Sequence, residues 1–241
     1  MFALYKKEIY QYFSSAVGYL VSIVFFITVG LFLWILPSGD NIIYSGYASL
    51  RPLFDLAPWL YLFLVPAISM RLISEEKNKG TMELLLIRPI SRLKIVTAKY
   101  LAGLTLVLIT LIPTVVYIAI IWHLGQPQGN IDMGSVCGSY LGLIMLAGVY
   151  MAIGIFASSL TSNQIVAFIV AMTLCYLVYS GFGALSTLPS LQGCASIVSL
   201  CGIEEHYASI SRGVVDTRDV VYFLSIAVSF ILFTSLRLKR Y

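Results

Sequence analysis

Residues 133–185 read MGSVCGSYLGLIMLAGVYMAIGIFASSLTSNQIVAFIVAMTLCYLVYSGFGAL and contain no Asp, Glu, Lys or Arg. A membrane-spanning helix needs about 20 apolar residues. This run is too long for one such helix and long enough for two. It breaks at Ser158-Ser159-Leu160-Thr161-Ser162-Asn163, a polar cluster suited to a turn and a new helix N-cap. We therefore read two spans, 136–157 and 164–185. Charge-poor apolar runs elsewhere give four more, at 16–36, 56–73, 100–122 and 220–236. The expected fold is an all-α integral membrane protein with six transmembrane helices, forming a single transmembrane domain over 1–241.

Composition supports this. The chain is 59% apolar and 11% charged, with a mean hydropathy of +0.92. Soluble domains carry about 25% charged residues. The net charge of +4 is modest and forms no groove-sized basic patch, so nucleic acid is not an expected partner. The lipid bilayer is. The first apolar run resembles a signal peptide, but Pro37-Ser38-Gly39-Asp40 behind it is no small-x-small cleavage site, which predicts an uncleaved span.

Basic residues set the expected orientation. With the N-terminus inside, Lys6, Lys7, Arg71, Lys77, Lys79, Arg88, Arg92, Lys94, Lys99, Arg237, Lys239 and Arg240 fall inside, against Arg51, Arg212 and Arg218 outside. Positive loops stay cytoplasmic, so both termini are expected in the cytoplasm. Trp34, Trp59 and Trp122 then sit at outer span ends, where indoles prefer the wet interface. Residues 1–13 place Phe2, Tyr5, Ile9, Tyr12 and Phe13 near one helical face, the pattern of a helix lying in the inner interface.

Chemistry is sparse. The six predicted cores hold no central Asp, Glu, Lys, Arg or His. That disfavours a proton- or sodium-coupled carrier, which keeps ionisable groups at mid-membrane. No nucleophile–base pair or metal-ligand set is visible either, nor a phosphate-binding G-x-x-x-x-G-K-[ST] loop. No enzyme activity, bound cofactor or metal is expected of this chain. Asp55 and Asp219 lie at span entrances, where they can cap helices. Asp216-Thr217-Arg218-Asp219 has the form of a capping box. Pro58, Pro66 and Pro113 lie within spans two and three. Membrane helices tolerate proline, although a gating role for these kinks is a second reading.

The one sizeable inner loop, 74–99, holds EEKNKGTMELLLIRPIS at 75–91. Gly80 permits a sharp break, Thr81 can cap a new helix, and Glu83 falls in the first turn, where the helix dipole favours an anion. Pro89 ends the helix after about two turns. So short a helix is unstable alone in water. Leu84, Leu85 and Ile87 on it call for a partner's groove or the membrane surface.

This run resembles the cytoplasmic coupling loop of ABC-2 type transporter permeases, roughly E-E-K-x-x-G-T-x-E-x-L-L-x-x-P. Lys7-Glu8-Ile9-Tyr10-Gln11-Tyr12-Phe13-Ser14-Ser15 resembles that family's N-terminal interfacial helix. Ser158 through Phe168 resembles its turn between spans four and five. His206-Tyr207 through Asp216, then Asp219 through Leu224, resembles its last outer loop and span. The similarity thus runs the length of the chain. Ser45 through Leu50, Leu56-Ala57-Pro58-Trp59 and Gly129-Asn130-Ile131-Asp132 point to the gliding-motility-associated permease subunits of gliding bacteria. Ala16 departs from the proline the family commonly has after its first Ser-Ser pair.

The resemblance implies a permease subunit of an ATP-driven exporter in the bacterial inner membrane, linked to gliding motility or to protein or polymer secretion. It implies two copies of a cytoplasmic ABC ATPase, which would hold ATP and Mg. It further implies a second permease half, identical or paralogous, and an accessory extracytoplasmic subunit. The ATPase-coupling residues would be Glu75, Glu76, Lys77, Gly80, Thr81, Glu83, Leu84, Leu85 and Pro89, with Lys7, Glu8 and Phe13 on the interfacial helix. The rival reading is a structural scaffold of a motility or secretion machine that moves no cargo. The spacing of Cys137, Cys175, Cys194 and Cys201 is not that of a zinc site. Cys194 and Cys201 could pair in an oxidising compartment or stay as free thiols.

Overall fold

The computed structural model describes all residues except 38–40, 88–89, 190–192, 194–197, 214 and 239–241. Among the described residues it is helical throughout: α1 (Phe2–Phe13), α2 (Ala16–Gly30, continued by a π-turn Leu31–Ile35), α3 (Ile42–Ser45), α4 (Arg51–Asn78), α5 (Thr81–Leu86), α6 (Arg92–Leu111), α7 (Val116–Leu124), α8 (Met133–Leu160), α9 (Gln164–Tyr176, continued by a π-turn Leu177–Gly181), α10 (Phe182–Ser186), α11 (Ile203–Ser211) and α12 (Thr217–Arg237). Six stretches are long and apolar enough to cross a membrane: Gly18–Ile35, Arg51–Asn78, Arg92–Leu124, Met133–Leu160, Gln164–Ser186 and Thr217–Arg237. Pro113 sits in a 3₁₀ turn, Ile112–Val115, that joins α6 to α7. It removes one backbone donor there, yet the third span runs on through it from Arg92 to Leu124.

The helices outrun the apolar runs that mark them. α4 begins five residues before position 56 and continues to Asn78, and α6 begins at Arg92 rather than near 100. The segment 74–99 is therefore mostly helix: the end of α4, the short α5 and the start of α6. Hydropathy locates the part of a helix that tolerates hydrocarbon. Charged residues can prolong the same helix beyond it.

α8 is the centre of the bundle. In its most apolar window 78% of residues are buried, against 61% for α4 and 22–33% for the other spans. α8 packs on α4, α6, α9, α11 and α12, which it can approach closely because it is studded with glycine. A Cβ on Gly154 would lie 2.0 Å from Ser69 Oγ and 2.6 Å from Ser69 Cβ of α4, and one on Gly138 would lie 2.8 Å from backbone atoms at Ile210 and Gly213. Polar side chains start the helices. Asp132 accepts from Gly134 N and Ser135 N, Asn163 from Ile165 N, and Asp216 from Arg218 N.

Pro58 leaves a specific mark. It has no N–H, so the Phe54 carbonyl loses the helical donor four residues on. The Tyr207 hydroxyl of α11 donates to that carbonyl at 2.7 Å, and burial pushes the phenol's pKa up, keeping it a donor. Tyr207→Phe strands a buried carbonyl, which costs about 1–3 kcal/mol. The expected result is a lower thermal unfolding midpoint in detergent with unchanged helix content. An unchanged midpoint would mean that water satisfies Phe54.

Candidate functional site

Among the described residues, charges are sorted to the two ends of the bundle. Lys6, Lys7, Arg71, Lys77, Lys79, Arg92, Lys94, Lys99 and Arg237 gather where α1, the end of α4, α5, the start of α6 and the end of α12 meet. At the centre of this basic end is Lys99, 0% exposed. Its ammonium donates to Glu8 Oε1 at 2.7 Å and to the Leu72 carbonyl at 2.5 Å, and forms an ion pair with Glu76 Oε2 at 2.9 Å. One side chain thereby joins α1, α4 and α6.

A second tier surrounds it. Lys7 Nζ donates to Glu76 Oε1 at 3.0 Å. Burial pulls this ammonium down, but the bond to Glu76 and the nearby charges of Glu8 and Glu75 outweigh it and leave its pKa raised. Glu75 accepts from Arg71 Nε at 3.0 Å, Lys79 Nζ at 2.6 Å and Gln11 Nε2 at 3.4 Å. Lys77 Nζ donates to the Ser159 carbonyl at 2.5 Å. Ser158 Oγ lies against the α4 backbone, accepting from Ile73 N and Ser74 N and donating to the Met70 carbonyl. The first half of EEKNKGT is thus spent on holding α1 and α8 to the end of α4. Glu75 and Glu76 are buried and face their own chain.

α5 stands apart from this junction. Gly80 adopts φ +66° as its N-cap, a left-handed conformation that glycine adopts without strain. Thr81 does not cap the helix; its Oγ1 donates to the Glu76 carbonyl at 3.3 Å. Met82 is buried and Leu85 half-buried, anchoring α5 to the bundle. Leu84 is 67% exposed and Ile87 80%. At i and i+3 they share a face. Glu83 is exposed in the first turn.

A family model described as ABC-2 family transporter protein matches residues 2–236. The chain belongs to that family. No curated protein matches it significantly. As an ABC-2 permease it is a multi-pass membrane subunit of an ABC transporter, and its family implies a separate ATPase partner.

The ABC-2 assignment puts the remaining residues in context. Phe13 packs at the α1–α2 corner against Tyr12 and Tyr19, with ring centroids at 5.8 and 6.2 Å. Phe2 and Tyr10 are exposed on α1, whereas Tyr5, Glu8 and Tyr12 turn inward. Pro89 lies outside the described residues, as does Cys194; Cys201 is an exposed free thiol. Cys175 is buried, with Sγ 3.9 Å from the Tyr150 carbonyl. No metal-holding group of His, Cys, Asp and Glu occurs among the described residues.

Sequence reasoning missed Lys99 as a site residue. It placed the third span from 100 onward, leaving Lys99 just outside as one more inner charge. The available signal was a single carboxylate on the mostly apolar inward face of residues 1–13, with one ammonium at the edge of an apolar run.

Proposed function

We propose that this permease subunit works in the bacterial inner membrane with both termini cytoplasmic, and that its basic end docks on two copies of a cytoplasmic ABC ATPase carrying ATP and Mg. A second permease half, identical or paralogous, completes the pore, with an accessory subunit on the outer side. Its activity is export, linked to gliding motility or to protein or polymer secretion, as the resemblance of residues 45–50, 56–59 and 129–132 suggests. The observation that carries the docking is α5, whose exposed Leu84 and Ile87 are held out from the bundle by buried Met82. Closure of the ATPase dimer would push on α5, and the Glu8–Lys99–Glu76 junction would pass the displacement to α1, α4 and α6 together. Glu83 and Thr81 lie beside the exposed pair, while Glu75, Glu76 and Lys77 act behind it as the joint.

Orientation is tested by labelling. Tyr44, 70% exposed, and Asn78 mark opposite ends. In a background with all four cysteines replaced, Tyr44→Cys should react with an impermeant maleimide on whole cells. Asn78→Cys should react only after the membrane is opened. The reverse pattern overturns the docking.

A further inference from the structure

The end opposite the basic junction holds a cavity of about 1060 Å³, walled by the starts of α4, α8 and α12 together with α11. His206 of α11 and Asp219 of α12 both line it, with 15% and 8% of their side chains exposed. His206 Nδ1 lies 2.6 Å from Asp219 Oδ1, and Nε2 lies 2.9 Å from the Leu200 carbonyl. The ring stacks on Tyr222 of α12, with centroids 4.0 Å apart, and the Tyr222 hydroxyl donates to the Cys201 carbonyl. One imidazole and one phenol thereby tie the turn before α11, residues 198–202, to α12.

Both ring nitrogens face acceptors. A neutral imidazole has one N–H and one lone pair, so it satisfies only one of them and sets lone pair against lone pair at the other. The two contacts together need one proton more than a neutral ring beside a carboxylate holds. That proton does not rest on Asp219 Oδ2, which is buried with no hydrogen-bond partner to receive it. It lies between Nδ1 and Oδ1, and the two side chains titrate as a pair. When it leaves, the remaining N–H stays with the carboxylate, because the charge-assisted bond is the stronger. Nε2 then turns a lone pair to the Leu200 carbonyl.

We propose that His206 and Asp219 form a proton-operated clasp, which fastens the 198–202 turn to α11 and α12 when protonated and releases Leu200 when not. Leu200 is itself part of the cavity wall, so the clasp sets how firmly that wall is closed. Closing takes up a proton, so the clasp is fastened at low pH and released as pH rises. The other ionisable groups around it are Glu204 and Glu205 of α11, Arg212 after it, Asp216 and Arg218 at the start of α12, and the Cys201 thiol. Tyr179 comes from the π-turn after α9, and Arg51, Asp55 and Asp132 from the cavity wall on α4 and α8. Among the described residues His206 forms an ion pair with Asp219 alone. That the clasp senses the outer compartment rests on the orientation proposed above. The clasp itself does not, and a nanodisc exposes both faces to one buffer.

The test is hydrogen exchange by mass spectrometry on the full chain in nanodiscs, in a Cys201→Ser background that removes the neighbouring thiol. The amides at 201 and 202 bond within the turn, to the Val198 and Ser199 carbonyls at 3.1 and 2.8 Å, so their protection reports on it. Corrected for intrinsic rates, protection over 198–206 should fall at least about fivefold from about pH 5.5 to about pH 8.5, on either side of the range where an imidazole titrates. His206→Phe keeps a ring to stack on Tyr222 but makes neither bond, and should leave the turn poorly protected at both pH values. Asp219→Asn should keep it protected at both. There an amide N–H donates to Nδ1 while Nε2–H donates to the Leu200 carbonyl, so a neutral ring satisfies both contacts. Equal protection of the parent chain at the two pH values, full protection in His206→Phe, or an unaltered pH dependence in Asp219→Asn would each overturn the proposal.

Discussion

Lys99→Met should destabilise the protein by about 3–5 kcal/mol, the range for removing one partner of a buried ion pair. The cost comes mainly from Glu8. Glu76 keeps Lys7 at 3.0 Å, but Glu8, 7% exposed, has no other ion-pair partner among the described residues. The expected signs are a lower unfolding midpoint and faster proteolysis between α1 and α2, because α1 loses its ion pair to α6 and keeps there only the Tyr5–Thr105 side-chain hydrogen bond among the described residues. Burying a charge pair is not in itself stabilising, and apolar replacement of the whole pair is often neutral. The double variant Glu8→Met, Lys99→Met should therefore recover much of the loss. A double-mutant cycle separates the pair from its surroundings. If the single variant unfolds like the wild type, the junction is not what holds α1 in place. If the double variant is no better than the single, the loss lies in packing rather than charge.

The sequence made some elements legible and concealed others, for physical reasons. The spans could be read because hydrocarbon tolerates few charges, and six charge-poor runs of the right length leave little choice. Asn163 and Asp216 could be read as caps because a cap acts on backbone two or three residues away. Asp219 shows where local reading stops. The capping-box pattern has it reaching back to its own helix start, but it turns instead to His206 in α11. The run around Glu75 and Glu76 shows the same limit of local reading. Glu75 and Glu76 are only a turn from exposed α5, yet they point into the bundle because Glu8, Gln11 and Lys99 belong to elements far away in sequence. Lys99 and Glu8 are 91 residues apart, a separation that no helical period reports. Thr81 illustrates a smaller competition. A hydroxyl next to a left-handed glycine can cap or can bond backwards, and here the free Glu76 carbonyl takes it.

Separating joint from surface changes which side chain should matter most for docking. Leu85 is half-buried against the core, so an acidic residue there damages the fold first. Leu84 and Ile87 are free to be buried by a partner. Fully burying such a side chain contributes about 1.5–3 kcal/mol, and well-packed interface residues commonly exceed 2 kcal/mol on truncation. Placing a carboxylate at either position adds desolvation. Glu83 offers a third contact. If it forms a desolvated pair with a cation on the ATPase, Glu83→Gln costs about 2–5 kcal/mol of docking. If it only favours the start of α5, the effect is about 0.3–1 kcal/mol.

The most direct test is the dissociation constant of the cognate ATPase for the permease in nanodiscs, wild type against Leu84→Asp and Ile87→Asp. The account predicts at least about 30-fold weaker binding for each, which is 2 kcal/mol, with unfolding midpoints unchanged. An affinity within threefold of wild type for both variants would contradict docking through α5.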